Sequence, residues 1–374
     1  MRICFIGPGT SIHLQRWTSY FAQKGHDVHV ICASYAEGYD PTVQINRIYW
    51  RIPKRFPIAE YANGVPWLLT IRKLLKKIDP DVLDSHYIAG QGYLAALSGF
   101  HPLVLTAWGS DILIAPKQSR FHRFVIQRVL KRADKIICDS EVVRTNLLDL
   151  KADPVKIAKI FNGIDSNLFA PEKKDAHLKR KLQIDEEAQL VICTRNFESI
   201  YNHDMLFKSI PLILAEEPNT VFVMVGAGSL REYLESLAQE LDIRESVRFV
   251  GYVPHSDLPN YLASSDVYVS TSLSDSTSLS LQEAMACEVP PVVTDVLANR
   301  EWVTDEETGF IIPFNDMVKL AERIVYLLRN KQLRMSFGAK GRQIIVDNAD
   351  YITEMGKVEE LYSDLIRTYK SRST

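Results

Sequence analysis

The stretch from Val267 to Thr294 constrains the fold more than any other part of this sequence. Val267–Ser272 is a β-branched run that ends in small hydroxyl residues, Leu279–Cys287 carries apolar residues at helical spacing, and Pro290–Thr294 reads as a second buried strand. A strand, a helix and a second strand in this order are typical of two parallel strands joined by a crossover helix. We therefore expect an α/β protein.

The polar loop between this strand and this helix, residues 274–278, has the composition of an anion-binding site. Small residues leave the backbone amides of the first helical turn open, and these amides together with the helix dipole attract a phosphate. Asp275 and Glu283 bracket the helix start, where their oxygens would accept hydroxyls attached to that phosphate. This pattern suits a sugar joined to a nucleoside through a diphosphate. Ser280 and Glu283 also have the spacing of a capping box, in which Glu283 only holds its own helix end, and spacing alone leaves both interpretations open.

Strands and helices alternate along the rest of the chain in two series. The first series predicts strands at 2–7, 27–33, 44–50, 82–86, 103–107, 135–139 and 156–161, with helices at 13–24, 66–77, 90–98, 117–132 and 141–148. The second predicts strands at 190–194, 220–225, 247–253, 267–272, 290–294 and 309–313, with helices at 204–215, 230–241, 258–263, 279–287, 316–329, 332–346 and 351–369. Two such series indicate two doubly wound, Rossmann-like domains.

The glycine turn after the first strand, Gly7-Pro8-Gly9, begins like a dinucleotide-binding fingerprint. That fingerprint needs a further glycine where Ile12 stands. The sequence therefore argues against a nicotinamide-dependent dehydrogenase.

Length and composition exclude several classes of protein. The 374 residues fit two domains, and 46% hydrophobic with 24% charged residues excludes a disordered or fibrous chain. No apolar run approaches the roughly 20 residues that span a bilayer, and the N-terminus enters a strand directly, so we expect no signal peptide. The five cysteines are scattered without metal-ligand or redox spacing, so we expect them to be reduced and buried in a cytoplasmic protein. We expect no metal and no other cofactor.

The two halves of the chain carry opposite net charge. Residues 1–165 contain 22 Lys and Arg against 14 Asp and Glu, whereas the remainder contains 22 against 32. This asymmetry supports a division into two domains and suggests different partners for each. We expect no nucleic acid among those partners.

Three motifs give the chain a resemblance to a known family. They are Asp275-x7-Glu283-Ala284-Met285-Ala286 followed by Glu288-Val289-Pro290, the segment Asn162-Gly163-Ile164-Asp165 that continues to Phe169 and Pro171, and Thr194-Arg195 at a strand end. The family pattern is Glu-x7-Glu, Ala-Met-Ala and Gly-x-Pro, with Asn-Gly-Val-Asp between the domains. On these residues, and over nearly its whole length, the chain resembles the retaining glycosyltransferases of family 4, the glycosyl transferases group 1.

The resemblance implies the GT-B fold, in which two Rossmann-like domains face each other across a cleft. It implies an acceptor-binding domain at 1–165, a nucleotide-sugar-binding domain at 166–350, and a C-terminal helix, about 351–374, that packs back on the first domain. It also implies transfer of a sugar from a nucleoside-diphosphate sugar to a glycan or lipid-linked acceptor with retention of configuration, as in polysaccharide biosynthesis. In the mechanism discussed for the family, a donor phosphate oxygen takes the acceptor proton, and no protein base is required.

The resemblance also assigns the site residues. Arg195 matches the arginine that reaches the donor diphosphate, Glu283 matches the ribose-binding glutamate, and Asp275 matches the acidic residue at the donor sugar. These three are the predicted catalytic residues. The other predicted donor contacts are backbone positions near strand ends, namely Gly9, Gly226, Val253, Thr277, Ser278, Leu279 and Ser280. On the acceptor side, the strand-end residues His86, Trp108 and Asp111 are the cleft candidates.

Four positions depart from the family pattern. Asp275 replaces a glutamate and is one methylene shorter, and Glu288 replaces a glycine. Trp108 stands where many members have a histidine. Tyr201 stands near a usual phosphate-binding lysine, whose substitutes would be the Tyr201 hydroxyl or a charged His203. These departures keep two alternatives open: a catalytically silent relative that acts as a binding subunit, and a sugar-nucleotide epimerase of the same fold.

A basic helix with aromatic residues predicts contact of the first domain with an anionic membrane. Helix 117–132 places Phe121, Phe124, Val125 and Val129 on one stripe among several Lys and Arg residues. Basic amphipathic helices of this kind lie on anionic lipid. The positive surface is extended by Lys54-Arg55-Phe56-Pro57 and by Arg72, Lys73, Lys76 and Lys77. This interpretation places a cytoplasmic protein peripherally on the inner face of the membrane. The alternative is that the stripe packs on the sheet and leaves a solvated basic face, with a soluble acceptor.

Overall fold

Seven parallel strands form the sheet of the first structural unit. The computed structural model describes residues 1–49 and 59–373, with the backbone alone for residues 59–63, 372 and 373. The strands are β1 Arg2–Ile6, β2 Asp27–Cys32, β3 Gln44–Arg47, β4 Val82–His86, β5 Leu103–Thr106, β6 Lys135–Cys138 and β7 Ile157–Lys159. Their order is β3-β2-β1-β4-β5-β6-β7, with every neighbouring pair parallel. The order reverses between β1 and β4, and open α/β sheets bind ligands at such a switch point.

The helices of this unit connect successive strands. They are α1 Ile12–Gln23, α2 Ala59–Ile78, α3 Gln91–Ser98, α4 Ser110–Leu113, α5 Ala115–Gln118, α6 Arg120–Arg132 and α7 Glu141–Asp149. The central strand β4 is buried along its whole length, as expected of a parallel strand covered on both faces. Ile126, Val129 and Leu130 of α6 belong to the same apolar core.

The second unit is built around six parallel strands. They are β8 Gln189–Cys193, β9 Thr220–Val225, β10 Val247–Gly251, β11 Val267–Ser270, β12 Pro291–Thr294 and β13 Phe310–Ile312. Their order is β10-β9-β8-β11-β12-β13, so this sheet has its switch point between β8 and β11. The helices are α8 Leu178–Lys181, α9 His203–Glu216, α10 Arg231–Glu240, α11 Leu258–Ala263, α12 Leu279–Ala286, α13 Leu297–Arg300, α14 Met317–Arg329 and α15 Lys331–Asn348. The helix α16, Tyr351–Ser373, has only its first two residues in this unit.

The chain divides into Met1–Asn162 with Thr353–Thr374, and Gly163–Ile352. The first division falls three residues before the predicted domain boundary at 165. The C-terminal helix α16 enters the first unit at Thr353, and its Tyr362 hydroxyl donates a hydrogen bond to Asp84 on β4. Gly163 has a φ of +71°, and a Cβ there would lie 2.6 Å from the Cα of Tyr351. This close approach explains the glycine of the predicted interdomain segment.

Two predicted helices differ from the structure by more than a few residues at their ends. The predicted start at Pro66 is wrong, because α2 begins at Ala59 and contains Pro66. The predicted continuous helix 117–132 is also wrong. The chain is extended at Ser119, whose hydroxyl accepts the amide of His122 and caps α6.

Parts of two predictions fall outside the described residues. The predicted strand at 44–50 ends at Arg47, and position 50 is outside the described part of the chain. The basic segment from Lys54 to Pro57 lies there too.

The end of α12 explains one departure from the family pattern. Glu288 has a φ of +60°, its amide bonds the Met285 carbonyl, and the Val289 amide bonds the Ala284 carbonyl. These contacts form a Schellman motif, whose left-handed position usually holds glycine. Glu288 therefore occupies a conformation that glycine adopts without strain.

The five cysteines are buried and unpaired, which confirms that part of the cysteine prediction. Burial raises the pKa of the Cys287 thiol to about 12. Among the described residues, no helix has both the length and the apolar character needed to cross a bilayer.

Candidate active site

Arg195 joins the two loops that flank the switch point of the second sheet. It follows β8, and the loop that follows β11 carries its partners. The Nη1 atom of Arg195 donates to Ser278 Oγ at 3.0 Å and to Ser280 Oγ at 2.8 Å, and Nη2 donates to the carboxylate of Asp275. Four of the residues predicted from the sequence therefore meet in one cluster.

The Arg195 guanidinium is held on several sides. Its side chain is 9% exposed, that of Asp275 is 14% exposed, and the ring of Tyr201 lies 4.2 Å from the guanidinium carbon. Burial lowers the pKa of Arg195, but Asp275 together with Tyr268, Tyr201 and Cys193 raises it by more, so the pKa is raised overall and the guanidinium is charged. The buried Nε atom has no hydrogen-bond partner. A cation is thus fixed at the strand end with its Nε–H unused.

The N-terminus of α12 lies beside this cation. Ser278 is the N-cap residue, and its side chain makes no capping bond. The first backbone amides of a helix have no partner inside the helix. The preceding loop is fixed by Gln282, whose side chain donates to Thr277 Oγ1 at 2.7 Å. Free amides next to a buried arginine form a site for a phosphate group.

Glu283 does not cap its own helix, so the capping-box interpretation is wrong. The N-cap is Ser278 rather than Ser280. The Oε1 atom of Glu283 lies 3.1 Å from His255 Nε2, and the Glu283 side chain is 9% exposed. The His255 ring packs edge-on against Phe169 with 5.0 Å between centroids. Sequence reasoning missed His255, although it stands two residues after the predicted donor contact Val253.

The glycine turn after β9 packs on the backbone that follows Arg195. A Cβ on Gly226 would lie 2.9 Å from the Arg195 carbonyl oxygen, and one on Gly228 would overlap the Phe197 carbonyl. Val253 is half-buried just beyond the end of β10. These positions line neighbouring strand ends, and their contact with a donor remains a prediction, as does that of Leu279.

Of the two proposed substitutes for the missing lysine, the structure contradicts His203, whereas the hydroxyl of Tyr201 as a phosphate donor stays a prediction. His203 is buried, its Nε2 pairs with the Asn196 carbonyl at 2.9 Å, and burial lowers its pKa. A charged His203 is therefore wrong. Tyr201 contributes its ring face to Arg195, a cation–π contact that supports the cation without adding charge.

In the first unit, Trp108 follows β5 and lies over His86 at the end of β4. The indole Nε1 donates to His86 Nδ1 at 3.2 Å, which leaves the imidazole proton on Nε2. His86 is fully buried, and burial lowers its pKa to about 3. Trp108 itself is half-buried, with the rings of His13 and Tyr87 at 5.6 and 6.4 Å. Of the three acceptor-side candidates, Trp108 alone keeps exposed surface.

Asp111 is also fully buried, and its carboxylate accepts the amides of Ile88 at 2.7 Å and Trp108 at 3.0 Å. Burial raises its pKa to about 6. Asp111 uses both oxygens to bind loop backbone, and His86 is fully buried. We therefore leave both residues out of the surface that contacts an acceptor. Gly9, the remaining predicted donor contact, packs against the Ser34 carbonyl, 2.5 Å from a Cβ built on it.

A second buried carboxylate, that of Asp84, lies next to His86. Asp84 accepts the hydroxyl of Thr106 at 2.9 and 3.1 Å and that of Tyr362 from α16. His86 Nε2 is 3.8 Å from Asp84 Oδ2. Burial raises the pKa of Asp84 to about 7, although its two hydroxyl partners oppose this. Within residues 1–49 and 59–373, no three His, Cys, Asp or Glu side chains come together as metal ligands would.

Two Rossmann-like units, with a buried arginine and a helix N-terminus at one switch point, define a glycosyltransferase of the GT-B type. A family model described as "Glycosyl transferases group 1" matches residues 174–344, and one described as "Glycosyl transferase 4-like" matches residues 2–140. The chain belongs to this family and is a nucleotide-sugar-dependent glycosyltransferase.

Characterised relatives and solved structures agree with this placement. The Escherichia coli UDP-Gal:alpha-D-GlcNAc-diphosphoundecaprenol alpha-1,3-galactosyltransferase is 27% identical over 80% of this chain and 79% of its own. A GDP-mannose-dependent phosphatidylinositol monomannoside mannosyltransferase of Mycolicibacterium smegmatis is 24% identical over 73% and 72%. The structure of Anabaena HepE in complex with UDP superposes with a TM-score of 0.82 at 18% identity, covering 98% of this chain and all of HepE.

Proposed function

We propose that this enzyme transfers a sugar from a nucleoside-diphosphate sugar bound to its second unit onto a glycan or lipid-linked acceptor, with retention of anomeric configuration. The observation that carries the proposal is the meeting of Arg195 with Asp275 and the N-terminal residues of α12. A diphosphate needs a fixed cation and free amides, and both are present at one switch point.

Each residue of the cluster has a role in this proposal. Arg195 and the amides of residues 277–280 hold the diphosphate and stabilise its charge as the bond to the sugar breaks. Glu283 accepts the ribose hydroxyls with the oxygen that His255 leaves free. Asp275 accepts a hydroxyl of the donor sugar. His86 is neutral and covered, so the acceptor proton passes to a phosphate oxygen of the leaving group on the same face of the sugar.

The acceptor contacts the first unit. Trp108 follows a strand next to the switch point of that sheet, and its indole is held by the hydrogen bond that it donates to His86. An aromatic face of this kind stacks on a sugar ring. The E. coli relative, by its name, acts on a sugar carried by diphosphoundecaprenol, which is the class of acceptor that we propose here.

A lipid-linked acceptor requires access to a membrane, and α6 provides a surface for it. Phe121 and Phe124 are 67% and 52% exposed, whereas Val129 is buried in the core. The predicted stripe therefore divides between the core and the surface. The cations Arg120 and Lys131 are exposed on the same helix. We propose that this aromatic and basic surface contacts anionic lipid on the inner face of the membrane, a cytoplasmic location.

Calorimetry with a nucleoside and its diphosphate tests the donor site. Arg195→Lys keeps a charge beside Asp275 but loses the planar fork. It should weaken binding of UDP or GDP about tenfold to a hundredfold and leave the nucleoside unchanged, because a charged hydrogen bond contributes about 1.5–3 kcal/mol. Arg329→Lys, at an exposed arginine of the same unit, is the matched control. Equal weakening of nucleoside and diphosphate would disprove the phosphate assignment.

Glu283→Ala tests the ribose assignment. It should weaken nucleoside binding by a similar factor, whereas Glu307→Ala at an exposed site should not. Transfer or slow hydrolysis of a nucleotide sugar that disappears in Arg195→Lys would exclude the silent binding subunit. Release of an epimerised nucleotide sugar would favour the epimerase instead.

Vesicle sedimentation tests the membrane surface. Binding to phosphatidylcholine vesicles should rise with added phosphatidylglycerol and fall with salt. Reversal of Arg120 and Lys131 to Glu should reduce the vesicle partition more than roughly thirtyfold, since loss of the two cations alone removes about 2 kcal/mol and the new carboxylates repel anionic lipid. The control reverses Lys173 and Lys174, two exposed lysines of the second unit. Sedimentation that does not depend on lipid charge would favour a soluble acceptor.

A further inference from the structure

We infer that Asp275 competes with the donor diphosphate for the guanidinium of Arg195, and that this competition makes the site prefer a nucleotide sugar to the nucleoside diphosphate released after transfer. The inference rests on the proposed diphosphate role of Arg195. It adds a specificity and product-release function for Asp275.

The hydrogen bonds of Arg195 leave one edge for a second anion. Both hydrogens of Nη1 are used by the hydroxyls of Ser278 and Ser280, and Tyr201 covers a face of the guanidinium. The remaining edge consists of Nε, which has no partner, and Nη2, which binds Asp275. A phosphate that binds the fork with two oxygens needs this same edge. A phosphate on this edge therefore shares Nη2 with the carboxylate of Asp275.

The second oxygen of Asp275 shows how the carboxylate is held. Oδ1 accepts the backbone amide of Ser276 at 3.0 Å while Oδ2 faces Arg195. The pair is largely buried, so solvent screens the charges poorly. A phosphate and a carboxylate on one guanidinium repel each other in such surroundings. When a diphosphate binds, Oδ2 has to turn away from Arg195 and needs another donor.

The sugar of the donor supplies that other donor. A hydroxyl of the sugar can donate to the displaced Oδ2, so a nucleotide sugar replaces the hydrogen bond that its diphosphate breaks. A free nucleoside diphosphate breaks the same bond and offers no replacement. After transfer, Asp275 therefore returns to Arg195 and helps to expel the product.

The test measures calorimetric affinities of the full chain for UDP, uridine and UDP-glucose, and for GDP, guanosine and GDP-mannose. Asp275→Asn removes the competing charge and keeps the side-chain shape. It should tighten binding of the nucleoside diphosphate about tenfold, leave the nucleoside unchanged, and reduce the preference for the nucleotide sugar by a similar factor. Asp275→Ser, which suits this serine-rich loop, repeats the test if the asparagine variant is unstable.

Asp295→Asn is the matched control, because Asp295 follows the neighbouring strand β12 and pairs with Arg300 at an exposed site. It should change none of the affinities. Diphosphate binding that is unchanged or weaker in both Asp275 variants, with the nucleoside unaffected, would overturn the inference and leave the proposed function intact. Absence of nucleotide binding in the unaltered chain would overturn both.

Discussion

Asp84 titrates inside the first unit, so its replacement by asparagine should change how stability depends on pH. The carboxylate is fully buried and accepts hydroxyls from Thr106 on the neighbouring strand and Tyr362 on the C-terminal helix. Burial raises its pKa from 3.8 to about 7. The folded chain therefore binds a proton on Asp84 between these two pH values, where the unfolded chain has released it.

The sign and size of the effect follow from proton linkage. A raised pKa in the folded state contributes stability that is complete below pH 3.8 and is lost as pH rises to about 7. Each pH unit within this window corresponds to about 1.4 kcal/mol. Between pH 5 and pH 7 the unaltered chain should lose about 2 kcal/mol relative to Asp84→Asn, because the slope falls near the folded pKa, with little further change above pH 8. Accommodation of the asparagine amide shifts the mutant by a constant amount and leaves this slope unchanged.

Urea unfolding at a series of pH values measures the slope. Tryptophan fluorescence reports mainly the first unit, because Trp17, Trp50, Trp67 and Trp108 lie in its sequence and only Trp302 lies in the other. The control is Asp81→Asn, since the Arg2 backbone amide bonds the Asp81 carboxylate and holds its pKa below the usual range. Its pH dependence should parallel that of the unaltered chain above pH 5. If the stability of Asp84→Asn also ran parallel to that of the unaltered chain across this pH range, the assignment of a protonated Asp84 would be refuted.

Three further changes have defined outcomes. Glu288→Gly should raise the free energy of unfolding by about 1 kcal/mol in urea titrations, because glycine relieves the left-handed strain at the end of α12. Tyr201→Leu should weaken diphosphate binding severalfold in calorimetry, since the cation–π contact with Arg195 is worth about 0.5–2 kcal/mol. His255→Ala should weaken nucleoside binding about threefold to tenfold, less than Glu283→Ala, because Glu283 keeps its second oxygen for the ribose. An equal loss in the two variants would mean that His255 contacts the nucleoside itself.

Much of the fold could be predicted because its elements are local. Parallel strands such as β9 and β11 are short apolar runs, and a run of this kind is visible in any single sequence. The loops after β8 and β11 could be placed next to each other once both strands were assigned, since the switch point of a doubly wound sheet follows from strand order. The resemblance assigned Arg195 and Asp275 to the same donor site, and the strand order places the loops that carry them side by side.

The details that could not be predicted depend on partners distant in sequence. His255 and Glu283 are 28 residues apart, and Arg195 and Asp275 are 80 apart. No local sequence pattern indicates that either pair is in contact. The capping-box spacing at Ser280 is local, and it pointed to a role that the helix start at Leu279 excludes. Local spacing describes what a residue can do, and the fold decides which of those contacts forms.

The four departures from the family pattern bear on whether the chain is a catalytically silent binding subunit. Glu288 changes the backbone strain at the end of a helix, and Tyr201 supports the guanidinium of Arg195 without adding a charge. Trp108 replaces a side chain that the proposed mechanism does not need as a base. Asp275 remains an acidic residue and is bonded to Arg195 itself. Because none of the four removes Arg195, Glu283 or the amides of α12, they favour a change in acceptor or donor sugar over a loss of transfer.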